Sequence, residues 1–595
     1  MTRALEASGG SAAQILPTWE SATEPSGSKN PRPELLNGAQ ALVDVLVHLG
    51  VEHAFGVMGG GIAPFCRSLA SSSINYVHTR HESGAAFAAL EASLASNRVA
   101  VVFTTTGPGL TNALTGLAAA RNEDAKVLLI SAGTGSRQRG RLPCQETTAA
   151  TLPVGLLVSG SLFHYAVDLE HAAELDVVAR ELAAGAHGLG GFVAHVCVSM
   201  DFLTNRGHRQ DAIRSLGAIR RNPPKGDAAT ARDIARRMVS EPFFVWLGFG
   251  ARRSAAAVRE LVARTGAPVI SSPRGKGVLP EDHPCFVGVT GLGGYGDIES
   301  TFARVRPSWG LVLGSRLGEG TSLWSRGLIP RSGLVHVDHD PSAFGAAYPD
   351  VPTEGIQSEI GSFLDALIPE LPPTSERRSP RARPASLVET GLSSGPGSNA
   401  PVRPSALMRA VQRIVVEGSD ATVMAESGNS FMWTTHCLRF REPGRYRVST
   451  SYGSMGHMAT GVLGAAMASG KKAVAIVGDG AMLMLSEVNT AVRHRTPAVW
   501  IVLNDACYGM VEQGIRSLGW ETWANDIPRV DFAALAVATG AEGLRVDRED
   551  ALDEALRRAL ATDRPVVVDV RVDPSELAPS VANRARSLEM DGGGT

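Results

Sequence analysis

The stretch that decides the fold is AVAIVGDGAMLMLSEVNTAVRHRTPAVWIVLNDACYGM, residues 473–510, in which two apolar runs each end in polar residues. The first run ends in GDG at 478–480, a helical pattern follows, and the second run ends in Asn-Asp at 504–505. Apolar runs that alternate with amphipathic segments are typical of parallel strands joined by helices. The carboxyl ends of such strands lie at one sheet edge, so we expect Asp479 and Asp505 to lie close together there.

These residues suit a ligand that carries phosphate and a divalent cation. Glycine lets the backbone approach an anion closely, and the free N–H groups at the start of the next helix can bind phosphate. Two carboxylates, at 479 and 505, can hold a hard divalent cation that bridges two phosphates. A lone GDG would equally suit an ordinary strand-to-helix turn, but the apolar strand before it and the second polar strand end favour the ligand site.

The same alternation runs through most of the chain in three blocks. Strand patterns include VEHAFGV, RVAVVFTTT and AKVLLISAG in the first block, and EPFFVWLGFG, SWGLVLGSR and GLVHVDHDP in the second. Segments rich in Ser, Pro and Gly, with few large apolar residues, separate or flank the blocks. We therefore predict an α/β fold of three doubly wound parallel-sheet domains, 36–204, 205–370 and 405–580, with a linker at 371–404, a disordered tail at 1–35 and a second tail at 581–595.

Composition excludes several classes of function. The formal net charge of −2 gives no reason to expect nucleic acid or an anionic membrane as a partner. Six cysteines are scattered without a CxxC pair, which argues against a disulfide framework or a zinc site. No signal-type apolar core is present, nor any uninterrupted apolar run of about 18 residues. We expect a cytoplasmic protein that acts on small molecules.

The 478–505 motif resembles the diphosphate-binding motif of thiamine-diphosphate (ThDP) enzymes, which runs from GDG to Asn-Asn. The resemblance extends from FGVMGGGIAPF to VVVDVRVDPSE, and HTRHESGAAFAALEA with VVFTTTGPGLTNALTGLAAA resembles the pyrimidine-binding domain of the acetolactate (acetohydroxyacid) synthase-like group. It implies pyrimidine-binding, central and diphosphate-binding domains in that order, ThDP and Mg²⁺ as cofactors, and a homodimer or homotetramer with active sites at the subunit interface. The central block resembles the FAD-binding domain of the group, but related enzymes keep that domain without flavin, so the resemblance leaves FAD open.

The resemblance also implies catalytic, metal and substrate residues. Glu82 falls on the catalytic glutamate of the group, whose carboxylate favours the imino tautomer of the aminopyrimidine. Taken alone, Glu82 would pass for a carboxylate placed at a helix N-terminus by the macrodipole. Gln145 matches a glutamine of the group. The remaining implied residues are Asp479, Asp505 and the backbone carbonyl of Cys507 for Mg²⁺, and Gly60 and Arg316 for the substrate, with Arg316 binding a carboxylate.

The cofactor would contact a further set of residues in the third block. Met455, in GSMG, matches the apolar residue that holds the cofactor bent, although a buried core methionine is the commoner role for an isolated Met. The full implied set is Ser427, Gly453, Met455, Gly478, Asp479, Gly480, Ala481, Met482, Asp505, Tyr508 and Met510.

Three positions depart from the group and bear on the reaction. Asp505 replaces the usual Asn, Cys144 replaces the Phe before Gln145, and Gly514 replaces the Trp after GMVxQ, which leaves room for a larger acceptor. Simple decarboxylases carry a His-His pair after the first sheet, and SAGTGSRQRGRLPCQETT lacks one. We therefore expect decarboxylation of pyruvate or a related 2-keto acid, with transfer of the two-carbon acyl-anion unit to a second carbonyl, by a specialised carboligase.

Three alternatives stay open at this point. GSMGH resembles phosphonopyruvate and sulfopyruvate decarboxylases, with His457 as an extra polar group near the cofactor. A flavin-linked oxidase would use the central domain. A regulatory protein on an inactive ThDP scaffold would need neither Glu82 nor GDG, and both are intact.

Overall fold

Three parallel sheets, each with helices on its two faces, form the structure, a computed structural model that describes residues 36–208, 227–296, 298–373 and 401–579. The predicted tails, 1–35 and 581–595, and most of the predicted linker lie outside the described residues. The fold class predicted from the alternating pattern is confirmed. None of the helices in the described ranges is long and apolar enough to span a membrane.

The first sheet has six parallel strands in the order β3 (Asn75–His78), β2 (His53–Gly56), β4 (Ala100–Thr104), β5 (Lys126–Gly133), β7 (Phe192–Ser199) and β6 (Tyr165–Leu169). A short antiparallel pair, β1 (Leu36–Asn37) and β8 (Arg206–His208), lies beside it. The helices are α1 (Gly38–His48), α2 (Ala63–Ala70), α3 (Glu82–Ser96), α4 (Pro108–Asn122), α5 (Leu175–Ala186) and α6 (Met200–Thr204). Asn37 starts α1 with a capping box that includes Gln40.

The second sheet is parallel except for one antiparallel edge strand, β12. Its order is β12 (Tyr295–Gly296), β11 (Phe286–Val289), β10 (Val269–Ser271), β9 (Phe243–Leu247), β13 (Trp309–Leu313), β14 (Leu334–Asp338) and β15 (Thr353–Gln357). Its helices are α7 (Ala228–Ser240), α8 (Ala255–Thr265), α9 (Ile298–Val305), α10 (Glu319–Ser322) and α11 (Ile360–Leu367).

The third sheet has six parallel strands in the order β17 (Tyr446–Val448), β16 (Thr422–Ala425), β18 (Ala473–Gly478), β19 (Ala498–Asn504), β21 (Val566–Arg571) and β20 (Glu542–Val546). The strand order changes direction between β16 and β18, because β17 is added on one side of this pair and the later strands are added on the other. Ligands of α/β folds bind at such a point. The helices are α12 (Pro404–Val411), α13 (Asn429–Cys437), α14 (His457–Ser469), α15 (Asp479–Met482), α16 (Ser486–His494), α17 (Gly509–Ser517), α18 (Phe532–Ala538) and α19 (Leu552–Ala561).

Helices α3 and α14 join the first and third domains through an unusually close contact. A Cβ added to Gly464 would lie 1.8 Å from the backbone oxygen of Ala88, so only glycine permits this approach. Phe87 of α3 and Met458 of α14 belong to one buried apolar cluster that spans both domains. The two domains therefore share a continuous hydrophobic core.

A buried ion pair joins the central and third domains. The Nζ atom of Lys276 lies 2.9 Å from Glu281 Oε2 and donates to the backbone oxygen of Thr435 at 3.0 Å, and both charged side chains are fully buried. The Tyr295 hydroxyl binds the same carboxylate, whose other oxygen accepts a hydrogen bond from Phe440 N. Burial lowers the pKa of Lys276 to about 8. Every polar atom of the pair has a partner, as buried charges require.

Removing one partner of this ion pair should destabilise the protein strongly. We expect Lys276→Met to lower the free energy of unfolding by about 3–5 kcal/mol, because the Glu281 carboxylate would stay buried without its counter-ion. Arg326→Met, which breaks an exposed pair with Asp350, should cost about 0–1 kcal/mol. Denaturant unfolding of both variants measures the difference, and equal losses would contradict the expectation.

Candidate active site

A cavity of about 230 Å³ lies at the carboxyl ends of β16, β18 and β19 in the third domain. The cavity lies where the strand order of the third sheet changes direction, between β16 and β18, as expected for a ligand site. Most of the residues assigned to the cofactor or metal line its wall: Ser427, Gly453, Met455, Gly478, Asp479, Gly480, Ala481, Asp505, Cys507, Tyr508 and Met510. Met482 is not part of the wall, because its side chain is buried in the core shared with the first domain.

Two carboxylates face one another in this wall. Asp479 Oδ1 accepts a hydrogen bond from Gly480 N at 2.7 Å, and Oδ2 accepts one from Ala506 N at 2.6 Å. Burial raises the pKa of Asp479, and burial together with the charge of Asp479 raises the pKa of Asp505 to about 7. A buried carboxylate that raises the pKa of a second, partly buried one provides, together with it, a favourable site for a cation.

The rest of a cation's coordination would have to come from backbone and ligand oxygens. In the part of the chain that the structure describes, no group of three or more His, Cys, Asp and Glu side chains is arranged to hold a metal. Burial raises the pKa of the Cys507 thiol to about 11, so the thiol stays protonated and its backbone carbonyl is the better donor. This donor set suits a hard cation that also binds phosphate oxygens.

Asn429 also lines the cavity, although it is not among the residues predicted from the sequence. Its Oδ1 atom is buried without a hydrogen-bond partner, and the residue lines the cavity at the first position of α13. A Cβ on Gly509 would lie 2.9 Å from Asn429 Nδ2 and 2.6 Å from Asp505 Oδ2, so glycine at 509 leaves room for both side chains. The sequence AESGN, residues 425–429, contains a signal for it: a polar residue directly after a glycine at a helix start, where free N–H groups bind anions.

The GSMGH loop presents Met455 to the cavity and turns His457 away from it. Gly453 and Gly456 have φ values of 65° and 84°, which lie in the left-handed region that favours glycine. His457 is buried, its Nε2 atom lies 2.9 Å from Glu91 Oε1, and its ring stacks on Phe87. His457 is therefore part of the contact between the first and third domains and does not line the cavity.

The first domain holds a separate cluster around the turn at 104–109. Glu82 is the first residue of α3, and its Oε2 atom accepts a hydrogen bond from Asn112 Nδ2 at 3.1 Å. Gln145 has a φ of 60° and accepts a hydrogen bond from Thr106 Oγ1 at 3.2 Å. Gly60 lies between two glycines, 59 and 61, that contact the same turn. Glu82, Gln145 and Gly60 thus lie together, but none of them lines the third-domain cavity of the same chain.

Arg316 lies apart from both groups, on the wall of a larger cavity between the three domains. Its Nη1 atom donates to the backbone oxygen of Asn122 at 2.7 Å, which fixes it to the first domain. It is not among the residues of the third-domain cavity, so it can reach a substrate carboxylate only if the substrate extends into the larger cavity.

The larger cavity measures about 760 Å³ and lies at the carboxyl ends of β9, β13 and β14. Glycine turns follow β9 and β13, Asp338 ends β14, and the Arg252 and Arg274 guanidinium groups lie 3.7 Å from the centre of the Phe249 ring. Glycine turns and arginines suit a diphosphate, and a carboxylate at a strand end suits a ribose. These residues fit a dinucleotide such as FAD. The two cavities share the wall residues Ser427, Gly428, Gly453 and Met510.

Comparisons with known proteins agree with this geometry. The family models of the thiamine pyrophosphate enzymes match as the N-terminal TPP binding domain over 36–152, the central domain over 240–367 and the C-terminal TPP binding domain over 426–570. The chain belongs to the ThDP-dependent enzymes, in the acetolactate synthase-like group. Thiamine diphosphate is therefore its cofactor, and the resemblance read from the GDG motif is confirmed.

Relatives of this enzyme match over nearly their whole length. A putative acetolactate synthase large subunit, IlvB2, of Mycobacterium tuberculosis is 30% identical over 525 residues, which cover 85% of this chain and 92% of the relative. The acetolactate synthase isozyme 2 large subunit of Escherichia coli is 26% identical over 93% of this chain and 100% of the relative. A solved structure of a putative thiamin diphosphate-dependent enzyme from Mycobacterium smegmatis has the same fold, with a TM-score of 0.75 at 21% identity over 90% of this chain and 99% of that one.

The raised pKa of Asp505 predicts a pH-dependent affinity for Mg²⁺. With a pKa of about 7, the carboxyl is protonated below that pH and carries its charge only above it. We expect the Mg²⁺ dissociation constant to rise by up to roughly tenfold per pH unit below 7, because binding must displace the proton. Asp505→Asn should flatten this dependence, whereas Asp420→Asn, at an exposed position outside the cavity, should keep it. Calorimetric titration at pH 6, 7 and 8 measures both, and a steep dependence in Asp505→Asn would contradict the assignment.

Proposed function

We propose that this enzyme decarboxylates pyruvate or a related 2-keto acid and transfers the two-carbon acyl-anion unit to a second carbonyl compound. The observation that carries the proposal is the third-domain cavity, whose wall holds the two carboxylates of Asp479 and Asp505 and the buried Asn429 oxygen without a hydrogen-bond partner. Membership of the acetolactate synthase-like group supports the type of reaction. The donor that we propose is pyruvate or a related 2-keto acid, and the proposed acceptor is a second carbonyl compound.

Mg²⁺ would be held by Asp479, Asp505 and the backbone carbonyl of Cys507. The backbone N–H groups at the start of α13 and the Asn429 side chain would bind the diphosphate, because helix N-termini favour phosphate. Met455 is 48% exposed on the cavity wall, and an apolar side chain there can support a cofactor ring. When bound, ThDP supplies the nucleophilic carbon and the electron sink for decarboxylation.

Glu82 would act on a cofactor bound by a second copy of the chain. The Glu82 cluster does not line the cavity of its own chain, so a single copy holds only part of the machinery. Apolar side chains around the cavity are exposed, as expected for a surface that another subunit covers: Leu483, Met484, Tyr508 and Val511. We therefore propose a homodimer, or a homotetramer built from such dimers, with each active site between two subunits.

Ligation is favoured over simple protonation of the product. Gln145 and Thr106 are uncharged and bind each other, and the segment SAGTGSRQRGRLPC that precedes Gln145 contains no histidine. The histidine that resembled those of phosphonopyruvate and sulfopyruvate decarboxylases, His457, is held by Glu91 outside the cavity. Without a histidine in that segment to protonate the acyl-anion unit, a second carbonyl can capture the unit first.

The larger cavity, between the three domains, has residues that suit a second cofactor. We propose FAD as its occupant, bound through the glycine turns after β9 and β13 and through Asp338. Purified enzyme with a yellow chromophore that denaturation releases would support this, and colourless enzyme that does not bind added FAD would contradict it. Oxygen consumption coupled to 2-keto acid turnover would favour the flavin-linked oxidase instead.

Glu82→Gln tests the proposed reaction directly. We expect product formation to fall by about 10²–10⁴-fold, because the amide cannot take up the proton that the carboxylate handles. ThDP and Mg²⁺ should still bind, since Glu82 lies outside the cavity that holds them. Glu52→Gln, which changes an exposed carboxylate of the same domain, is the control and should keep the wild-type rate. CO₂ release from a panel of 2-keto acids measures both variants, and a wild-type rate in Glu82→Gln would refute the proposal.

Gly514→Trp tests the size of the acceptor site. A Cβ at Gly514 would meet no atom within 4 Å, so a large side chain can be added without a clash at its base. We expect the variant to lose more than about tenfold in kcat/KM for bulky acceptors, a free-energy difference of about 1.4 kcal/mol. CO₂ release from the donor should persist. Mass spectrometry of the products distinguishes the outcomes, and an unchanged acceptor preference would refute the role of position 514.

A further inference from the structure

Glu487, in α16 of the third domain, is a fully buried carboxylate that binds the first domain. Its Oε1 atom accepts hydrogen bonds from the backbone N–H groups of Arg80 and His81, each at 3.1 Å. Its Oε2 atom accepts one from Thr490 Oγ1 at 2.6 Å. Burial raises the pKa of Glu487, and these donors partly offset that effect by stabilising the charged form.

The two backbone amides belong to the residues directly before Glu82. His81 is the N-cap of α3, so the N–H groups at this point have no acceptor within the helix. A carboxylate near a helix N-terminus is also favoured by the helix dipole. A Cβ on Gly84 would lie 2.6 Å from Glu487 Oε1, so the carboxylate reaches the helix start only because residue 84 is glycine.

Helix α16 holds the side chain of Arg80 as well. Arg80 Nε donates to Asn489 Oδ1 at 2.7 Å, so both the backbone and the side chain of residue 80 are bound by the same helix. The start of α3 is therefore positioned by the third domain, and not by the first domain alone. Any shift of α16 would move the backbone that carries Glu82.

Helix α16 also follows closely on the segment that lines the cofactor cavity. Asp479 and Ala481 of α15 lie in the cavity wall. Met482 at the end of α15 and Val488 of α16 are buried in the same apolar cluster as Phe87 of α3. Part of the cavity segment, α16 and α3 thus pack against one another through this buried cluster.

We propose that Glu487 is a positioning residue that holds the Glu82 carboxylate in place for the reaction and ties it to the segment that binds the cofactor diphosphate. The inference rests on the proposed function. In the proposed dimer, Glu82 serves the cofactor of the second copy, whereas Asp479 of the same chain serves its own. Glu487 therefore lies between the residues that serve the two active sites: hydrogen bonds join it to the start of α3, and the chain and its apolar packing join it to α15.

Glu487→Gln in the full-length, ThDP- and Mg²⁺-loaded enzyme tests this inference. The amide preserves the shape but turns one acceptor into a donor and removes the charge. We expect kcat to fall by roughly ten- to hundredfold, because a small misplacement of a catalytic group costs that much. The dissociation constant for ThDP and the KM for the 2-keto acid should stay within about threefold, since Glu487 does not line the cavity. The near-ultraviolet circular dichroism of the bound aminopyrimidine should change, because it reports the tautomer that Glu82 controls.

Two further variants separate positioning from general damage to the fold. Asn489→Ala removes only the contact to the Arg80 side chain and should give a smaller loss of kcat. Glu281→Gln removes a buried carboxylate at a different domain boundary and should lower stability without changing kcat below its unfolding temperature. A wild-type kcat in Glu487→Gln, a loss explained wholly by weaker ThDP binding, or an equal loss in Glu281→Gln would overturn the inference. Failure of the proposed function would show differently, as wild-type enzyme that releases no CO₂ from any 2-keto acid.

Discussion

The close contact between α3 and α14 is the constraint on which the rest of the structure depends. Because Gly464 lets the two helices touch at the backbone, the first and third domains share one core instead of meeting at a polar boundary. Glu82 begins one of these helices, and the Met455 loop leads into the other. A candidate site residue thus lies at or just before the N-terminal end of each helix, and the contact between the helices fixes the distance between those ends.

Buried charges complete what the apolar contact begins. Glu91 lies between Arg447 and His457 across the first and third domains. Lys276 and Glu281 pair within the central domain and bind the backbone of the third. Each of these carboxylates has a cationic partner. The carboxylates of the candidate site differ, because burial raises the pKa values of Asp479 and Asp505 and the charge of Arg529 only partly offsets this effect. The structure thus pairs its buried carboxylates with cations at domain boundaries and leaves the two at the candidate site suited to binding a metal ion.

The sequence predicts the interior of this fold better than its edges or its contacts between domains. Buried strands such as Ala473–Gly478 are continuous apolar runs, so their pattern identifies them. The edge strand Thr353–Gln357 was not predicted, because its largely exposed residues follow no apolar pattern. The residues around Asp479 could be assigned because the motif lies along one short stretch of chain. Asn429, the burial of His457 and the position of Arg316 depend on which segments meet in space, and no local pattern encodes that.

The wall shared by the two cavities has a consequence for selectivity. Ser427, Gly428, Gly453 and Met510 separate the cavities, and the two glycines contribute no side chain to the partition. A molecule bound in the larger cavity would therefore form part of the wall of the third-domain cavity. The space left for an acceptor is then a property of the loaded enzyme as much as of its sequence. Two preparations of the same polypeptide that differ only in the molecule bound in the larger cavity would therefore accept substrates of different size.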